Sequence, residues 1–366
     1  LYLILLGGWI VLQKREPVAT LSWLLGLAFL PYLGFVIYMV FGPQKIVRHR
    51  HRRSRSRQVL RPARRPNEDE AVELSRLAQS VTGLAPSTAA SVRFLIDGAC
   101  KYDALVEDIG RARRHVHLEY YIYHADRTGE VLRDALTAAA KRGVSVRLLL
   151  DAMGSGGTPD EFFADLVAAG GEVLRFHPTR LWRFWRFWSR PWANMRTHRK
   201  IAVIDDTVGY TGGINVTDDE NDRLREDAFR DLHLRIEGDL VRGLQLVFAE
   251  DWAYVGGDRD YVASFVSAEP ASKPGPIAAQ VVASGPDDSW EAIHRLQVGA
   301  IHAATQRVWL VTPYFVPGPA AMMALTSAAL GGVDVRLVVP KLSDSLMVTL
   351  AARSYNDDLH EAGVKI

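Results

Sequence analysis

Cysteine is almost absent from the 366 residues: Cys100 stands alone, so the chain has no internal disulfide and no cysteine-built zinc site. A single thiol of this kind reads as buried and inert. Net charge is nearly absent too, since 44 Lys and Arg face 42 Asp and Glu for a formal +2. No chain-wide field of one sign therefore selects a partner. A GxGxxG fingerprint is missing, and the GSGG at 154–157 reads as a plain loop rather than a dinucleotide site. His115, His117 and His124 have no carboxylate cluster beside them and read as ordinary strand positions. Neither a metal nor a cofactor is expected.

Two local absences carry more. Residues 18–41 contain no charged side chain, a length sufficient to span a hydrocarbon core of about 30 Å. Trp23, Tyr32 and Tyr38 add interfacial rings, and Pro31 and Gly34 are tolerated in membrane helices. Residues 1–12 form a second apolar run, short and opening on Leu1 as though partway through a helix. With the turn Gln13-Lys14-Arg15-Glu16 between them, residues 1–43 read as a transmembrane hairpin with an incomplete first helix. The other absence is acid: residues 45–65 hold ten Lys or Arg and no Asp or Glu. Basic charge beside a membrane helix marks the cytoplasmic side and attracts anionic headgroups. Residues 44–70 thus read as a basic cytoplasmic linker, with lipid favoured over nucleic acid.

The rest alternates strand-like and helix-like patterns, which implies an α/β fold. HVHLEYYIY (115–123) reads as a strand, 130–141 as a helix closed by Gly143, and VSVRLLL (144–150) as the next strand. The order returns about 190 residues later. RVWLVTPYF parallels RHVHLEYYI, GVDVRLVVP parallels GVSVRLLLD, and LHEAGVKI parallels the start of LVAAGGEVLRF. A duplicated unit follows, with domains expected at 71–270 and 271–366. The second copy stops at Ile366, before a counterpart of the next segment, so the sequence reads as a fragment or a natural truncation, with a fragment favoured.

That segment, NMRTHRKIAVIDD, contains HxKxxxxD as His198, Lys200 and Asp205, followed by GGIN with Gly213 and Asn215. Composition alone predicts roughly 0.02 such patterns by chance. Strand alternation sends His198 and Lys200 to one face. An imidazole beside an ammonium suits attack on a phosphodiester, the lysine stabilising charge on the equatorial oxygens. Asp205-Asp206-Thr207 should turn the chain into a returning strand, VGYTGG. The glycines would let backbone approach phosphate, the Asn215 amide could donate to it, and Asp205 could orient the imidazole.

These residues resemble the HKD motif of the phospholipase D superfamily. The apolar hairpin, HLEYYIY, NMRTHRKIAVID, FRDLHLRIEG, VFAEDW and LVTPYFVP are similar, in order and over nearly the whole chain, to its bacterial cardiolipin synthase branch. The resemblance implies a duplicated α/β sandwich whose two HKD motifs share one site. It implies metal-independent phosphatidyl transfer between two phosphatidylglycerol molecules through a phosphohistidine, releasing glycerol. It carries over His198 as nucleophile, Lys200 as phosphate ligand, Asp205 as support for the histidine, and Gly213 and Asn215 as substrate-proximal. Nucleophile and acid could be exchanged between the motifs. The implied location is the bacterial inner membrane, multi-pass, with the catalytic domain on the cytoplasmic side. Residues 1–366 hold one HKD motif, so the chain alone is expected to turn over poorly.

Two alternatives stay open: a hydrolase of phospholipid or nucleic acid, and a non-catalytic lipid-binding membrane module. Glu119 and Asp231 are pocket candidates or structural carboxylates, Asp251-Trp252 reads as packing, and His233 and His302 have no motif support. Trp182, Trp185, Trp188 and Trp192, interleaved with arginines, read as an aromatic cluster or an interfacial segment beside the pocket.

Overall fold

A strand with side chains of both faces apolar or paired can only sit at the centre of a sheet, and residues 115–120 meet that condition: all six are buried. In the computed structural model, which describes residues 17–29, 32, 73–177, 196–258, 274–285, 290–341 and 346–366, that strand is the middle of a mixed sheet. Helix α1 (Pro17–Phe29) takes proline at its first position, where no N–H is needed. Its 13 residues rise about 20 Å. Among the described residues no helix is long and apolar enough to cross a membrane, so no described helix carries the expected two-span hairpin. The remainder of that hairpin, the basic linker and the Trp/Arg stretch lie outside the described residues.

The described residues form two compact units, one running from Pro86 to Val281 and one joining helix α2 (Glu73–Thr82) to residues 290–366. Helix α2 therefore falls outside the unit that the expected boundary at residue 71 would place it in.

The first unit contains β1 (Ser87–Ala89), β2 (Ser91–Ile96), α3 (Asp97–Arg111), β3 (His115–Tyr120), α4 (Arg127–Lys141) and β4 (Ser145–Asp151). It continues through α5 (Ala164–Ala168), β5 (Glu172–Phe176), β6 (Lys200–Ile204), β7 (Val208–Gly212), β8 (Leu232–Glu237), α6 (Leu240–Tyr254) and β9 (Ile277–Ala279). Seven strands run in the order β2-β8-β7-β6-β3-β4-β5, with β3, β4 and β5 parallel and the other pairs antiparallel. Period-two alternation splits the side chains between two helical layers. Val116, Leu118 and Tyr120 join Leu105 and Ile109 of α3 and Leu132 and Leu136 of α4 in the main core. On the opposite face Leu149 packs with Phe248 and Trp252 of α6. Helix α4 starts at Asp126, whose carboxylate accepts the Gly129 N–H at 2.9 Å, and ends before Gly143 at φ 88°. Cys100 is exposed on α3, not buried, because positions 101, 102, 104 and 105 are the ones that turn inward.

The second unit repeats the order of the first: α7 (Ala292–Ala303), β10 (Arg307–Val311), α8 (Pro319–Leu330), β11 (Asp334–Val338), α9 (Leu346–Arg353) and α10 (Asn356–Glu361). Strands β10 and β11 pair in parallel, as β3 and β4 do. Lys365 then bridges Arg336 in parallel, as β5 pairs with β4.

Candidate active site

Strand β6 is apolar at every position after Lys200, and its alternation decides which way the lysine points. Ala202 and Ile204 belong to the core under α3 and α4, so Lys200, two residues earlier, enters the same layer at its open end. His198 follows on that side, exposed, with its ring 4.5 Å from that of Tyr121. The Lys200 ammonium lies 3.1 Å from His198 Nδ1 and 3.0 Å from the His198 carbonyl oxygen, and 5.4 Å from the Tyr121 ring centroid. The expected His–Lys pair is thus formed. Partial burial, and then the charge of Lys200, hold the His198 imidazole below its ordinary pKa, against the opposing pull of Asp151. Burial brings Lys200 down to about 8, although Glu220 and Asp231 act to raise it. At neutral pH the pair is a neutral imidazole beside a cation.

Asp205 is not brought to His198. It begins the turn Ile204-Asp205-Asp206-Thr207, closed by a 3.1 Å bond from Thr207 N–H to the Ile204 carbonyl, with φ of 54° and 58° at the two aspartates. Positive φ at both central residues makes this a type I′ hairpin turn, which short polar side chains tolerate. The turn returns β7 alongside β6, Ile204 opposite Val208, as the sequence implied. The Asp205 carboxylate accepts the backbone N–H groups of Arg113 and Arg114 at 2.8 Å each and of His115 at 2.9 Å. Burial works to raise its pKa, but these donors outweigh it and leave the group below the usual carboxylate range. The whole of β6, Lys200–Ile204, lies between it and the histidine, a rise of roughly 17 Å. Its contacts pin the hairpin to the start of β3; they do not orient the imidazole.

Gly213 and Asn215 adjoin Asp231 and Glu220, the two acids whose charges act on Lys200. A Cβ at Gly213 would lie 2.1 Å and 2.4 Å from the Asp231 carboxylate oxygens, so a protein carboxylate is what requires glycine there. The Asn215 side chain accepts the Ile122 N–H at 3.1 Å and donates to Glu220 at 2.8 Å, while its backbone N–H reaches Glu220 at 2.6 Å. One amide hydrogen of Asn215 remains uncommitted by these bonds.

Three residues of this cluster carried no motif. Glu220 is buried, and its charge acts on two lysines, Lys200 and Lys101. The second of these, Lys101, is fully buried on α3 over the rings of Tyr102 and Tyr120, and it donates to the Asn215 carbonyl at 3.1 Å. Burial brings its pKa down to about 7, Glu220 opposing and Lys200 assisting. His233 of β8 is fully buried near both lysines, and burial followed by their charges keeps it neutral. Lys101 lies 114 residues from Asn215, so only the hydrophobic spacing of α3 hinted that position 101 faces inward.

His115, His117 and His124 are engaged within the fold. His115 and His117 stack at 4.4 Å, His115 lies 3.3 Å from Asp206, His117 pairs with Gln245 at 3.0 Å, and His124 pairs with Thr217 at 3.0 Å. Among the described residues no group of three His, Cys, Asp or Glu is placed to hold a metal ion.

Known proteins are similar to this chain. Residues 105–252 and 298–366 match the family described as cardiolipin synthase, PLD-like domain, and residues 1–43 match the phospholipase D-nuclease N-terminal family. A cardiolipin synthase of Geobacillus kaustophilus is 37% identical over 98% of this chain and 72% of its own length. Cardiolipin synthase 2 of Bacillus anthracis is 35% identical over 99% of this chain and 72% of its own. The crystal structure of phosphatidylserine synthase from Haemophilus influenzae shares the fold, at TM-score 0.52 and 14% identity over 79% of this chain and 72% of that one. The chain belongs to the cardiolipin synthase family with phospholipase D-like domains.

Proposed function

We propose that this protein is a phosphatidyltransferase that makes cardiolipin from two phosphatidylglycerol molecules. The observation that carries the reading is identity of 33–37% to cardiolipin synthases along 98–100% of the chain, with the His198–Lys200 pair formed where those residues predict it. A deprotonated ring nitrogen of His198 attacks the phosphorus of one phosphatidylglycerol. The N–P bond forms, the P–O bond to the terminal glycerol breaks, and glycerol leaves with a proton. The glycerol hydroxyl of a second phosphatidylglycerol then attacks phosphorus, loses its proton, and regenerates the imidazole as cardiolipin departs. Lys200 neutralises charge on the phosphoryl oxygens, worth most in a site shielded from water. The proton moves through a second acid–base group, which in the resemblance is the histidine of a second HKD motif; residues 1–366 contain one. Gly213 lets the Asp231 carboxylate approach, and Asn215 offers its remaining amide hydrogen. Asp205 holds the hairpin.

The setting we propose is the cytoplasmic face of a bacterial membrane. The uncharged run at 18–41, the family match over 1–43 and the ten basic residues at 45–65 support a membrane hairpin followed by a lipid-facing linker. Purified full-length protein given phosphatidylglycerol vesicles should yield cardiolipin and free glycerol, with no product from His198→Ala or Lys200→Ala. Phosphatidic acid as the sole lipid product would replace transfer by hydrolysis.

A further inference from the structure

The four residues that lead into β6 are held in an unusual way. Arg196 reaches Asp151 at 3.5 Å. The Thr197 N–H donates to the same Asp151 at 3.2 Å, and the Thr197 hydroxyl donates to Glu119. Arg199 forms an ion pair with Asp251. Asp151, Glu119 and Asp251 come from the end of β4, the last-but-one position of β3 and α6, and each is fully buried. Arg196, Thr197 and Arg199 are therefore each fastened to a buried acid, while the His198 side chain is exposed beside Lys200 and Tyr121.

Two guanidinium groups here face three carboxyl groups. A dry interior disfavours the charged form of a carboxyl. Burial, and then the neighbouring Asp251, push Glu119 well above the ordinary carboxyl range, against Arg199 and the Thr197 hydroxyl. A neutral Glu119 still accepts the Thr197 hydroxyl and has a proton to give a neighbour.

We propose that Glu119 is a positioning residue for His198, acting with Asp251 through the two side chains that flank the histidine. Thr197 and Arg199 point to the α6 side of the strand and His198 to the other. Fixing both neighbours fixes the peptide planes on either side of the His198 Cα, and with them the direction in which the imidazole leaves the backbone. The role rests on His198 being the nucleophile, and it explains why polar groups are buried behind an otherwise apolar strand.

The test uses the full chain with Glu119→Ala, Glu119→Gln, Thr197→Val and Thr197→Ser. Glu119→Ala and Thr197→Val should each lower kcat by about 100-fold with KM little changed, the loss expected when a reacting group is misplaced by about 1 Å. Glu119→Gln, which copies a protonated carboxyl, and Thr197→Ser should restore most of that loss. Carbethoxylation of His198 by diethyl pyrocarbonate, followed by peptide mass spectrometry, reads the same positioning without any turnover. Its rate should change in the Ala and Val variants and match wild type in the Gln and Ser variants, even if the protein makes no cardiolipin. Folded Ala and Val variants with wild-type kcat and wild-type carbethoxylation would overturn the proposal. So would a Glu119→Gln variant as impaired as Glu119→Ala.

Discussion

Replacing Asp205 separates structural from chemical roles within the HKD motif. Its carboxylate accepts three backbone N–H groups at 2.8–2.9 Å and starts a turn at φ 54°. Hydrogen bonds to a charged group are worth about 1.5–3 kcal/mol each. The turn is partly solvated, so water replaces much of what is lost, and the positive φ adds about 1 kcal/mol of strain for alanine. A net destabilisation of about 2–3 kcal/mol follows for Asp205→Ala, which for a unit of this size lowers Tm by about 5–10 °C. Asp205→Asn keeps the turn geometry and one acceptor oxygen, and should lose roughly half as much. Circular dichroism melts give Tm, and initial rates of cardiolipin formation well below the melt give kcat for the folded protein. The expected result is a lowered Tm with kcat within about threefold of wild type, since the reacting groups stay placed. An unchanged Tm with a large fall in kcat would refute the structural role and return Asp205 to the chemistry.

Other outcomes follow from the same geometry. The pH profile of kcat/KM should be bell-shaped. It rises as His198 loses its proton at a pKa below 6.5 and falls as Lys200 loses its proton near 8; a profile still rising above pH 9 would contradict the role of the ammonium. Gly213→Ala should lower kcat, because the new methyl meets the Asp231 carboxylate at 2.1–2.4 Å and displaces it from Lys200; wild-type kcat would show that the loop yields freely. Lys101→Met should impair the phosphate site without touching substrate, by releasing the Asn215 carbonyl, and a rise in KM measured with phosphatidylglycerol vesicles checks this.

What the sequence revealed, and where it stopped, follows from the range of the interactions. His198 and Lys200 are two residues apart on a strand, and the hairpin turn is written in Asp205-Asp206-Thr207, so local rules suffice for both. The role of Asp205 misleads because spacing along a strand says nothing of which end meets which neighbour; its partners are 90–92 residues away. Asn215 looks free in the motif, yet Ile122 and Glu220 take two of its side-chain bonds. Glu119 reads as a pocket candidate or a structural carboxylate and Asp251 as packing until the sheet sets them behind Thr197 and Arg199, 78 and 52 positions distant. Cys100 misleads more simply, since an apolar side chain at the edge of a helix stripe can face water.

The central claim is that His198 carries the phosphatidyl group. Rapid acid-free quenching of full-length protein with phosphatidylglycerol, followed by peptide mass spectrometry under alkaline conditions, measures this directly. A phosphatidyl adduct on the peptide containing His198, which forms and decays as cardiolipin accumulates and is absent from His198→Ala, is the predicted result. Cardiolipin formed at full rate with the adduct on a different residue, or by His198→Ala itself, would contradict it.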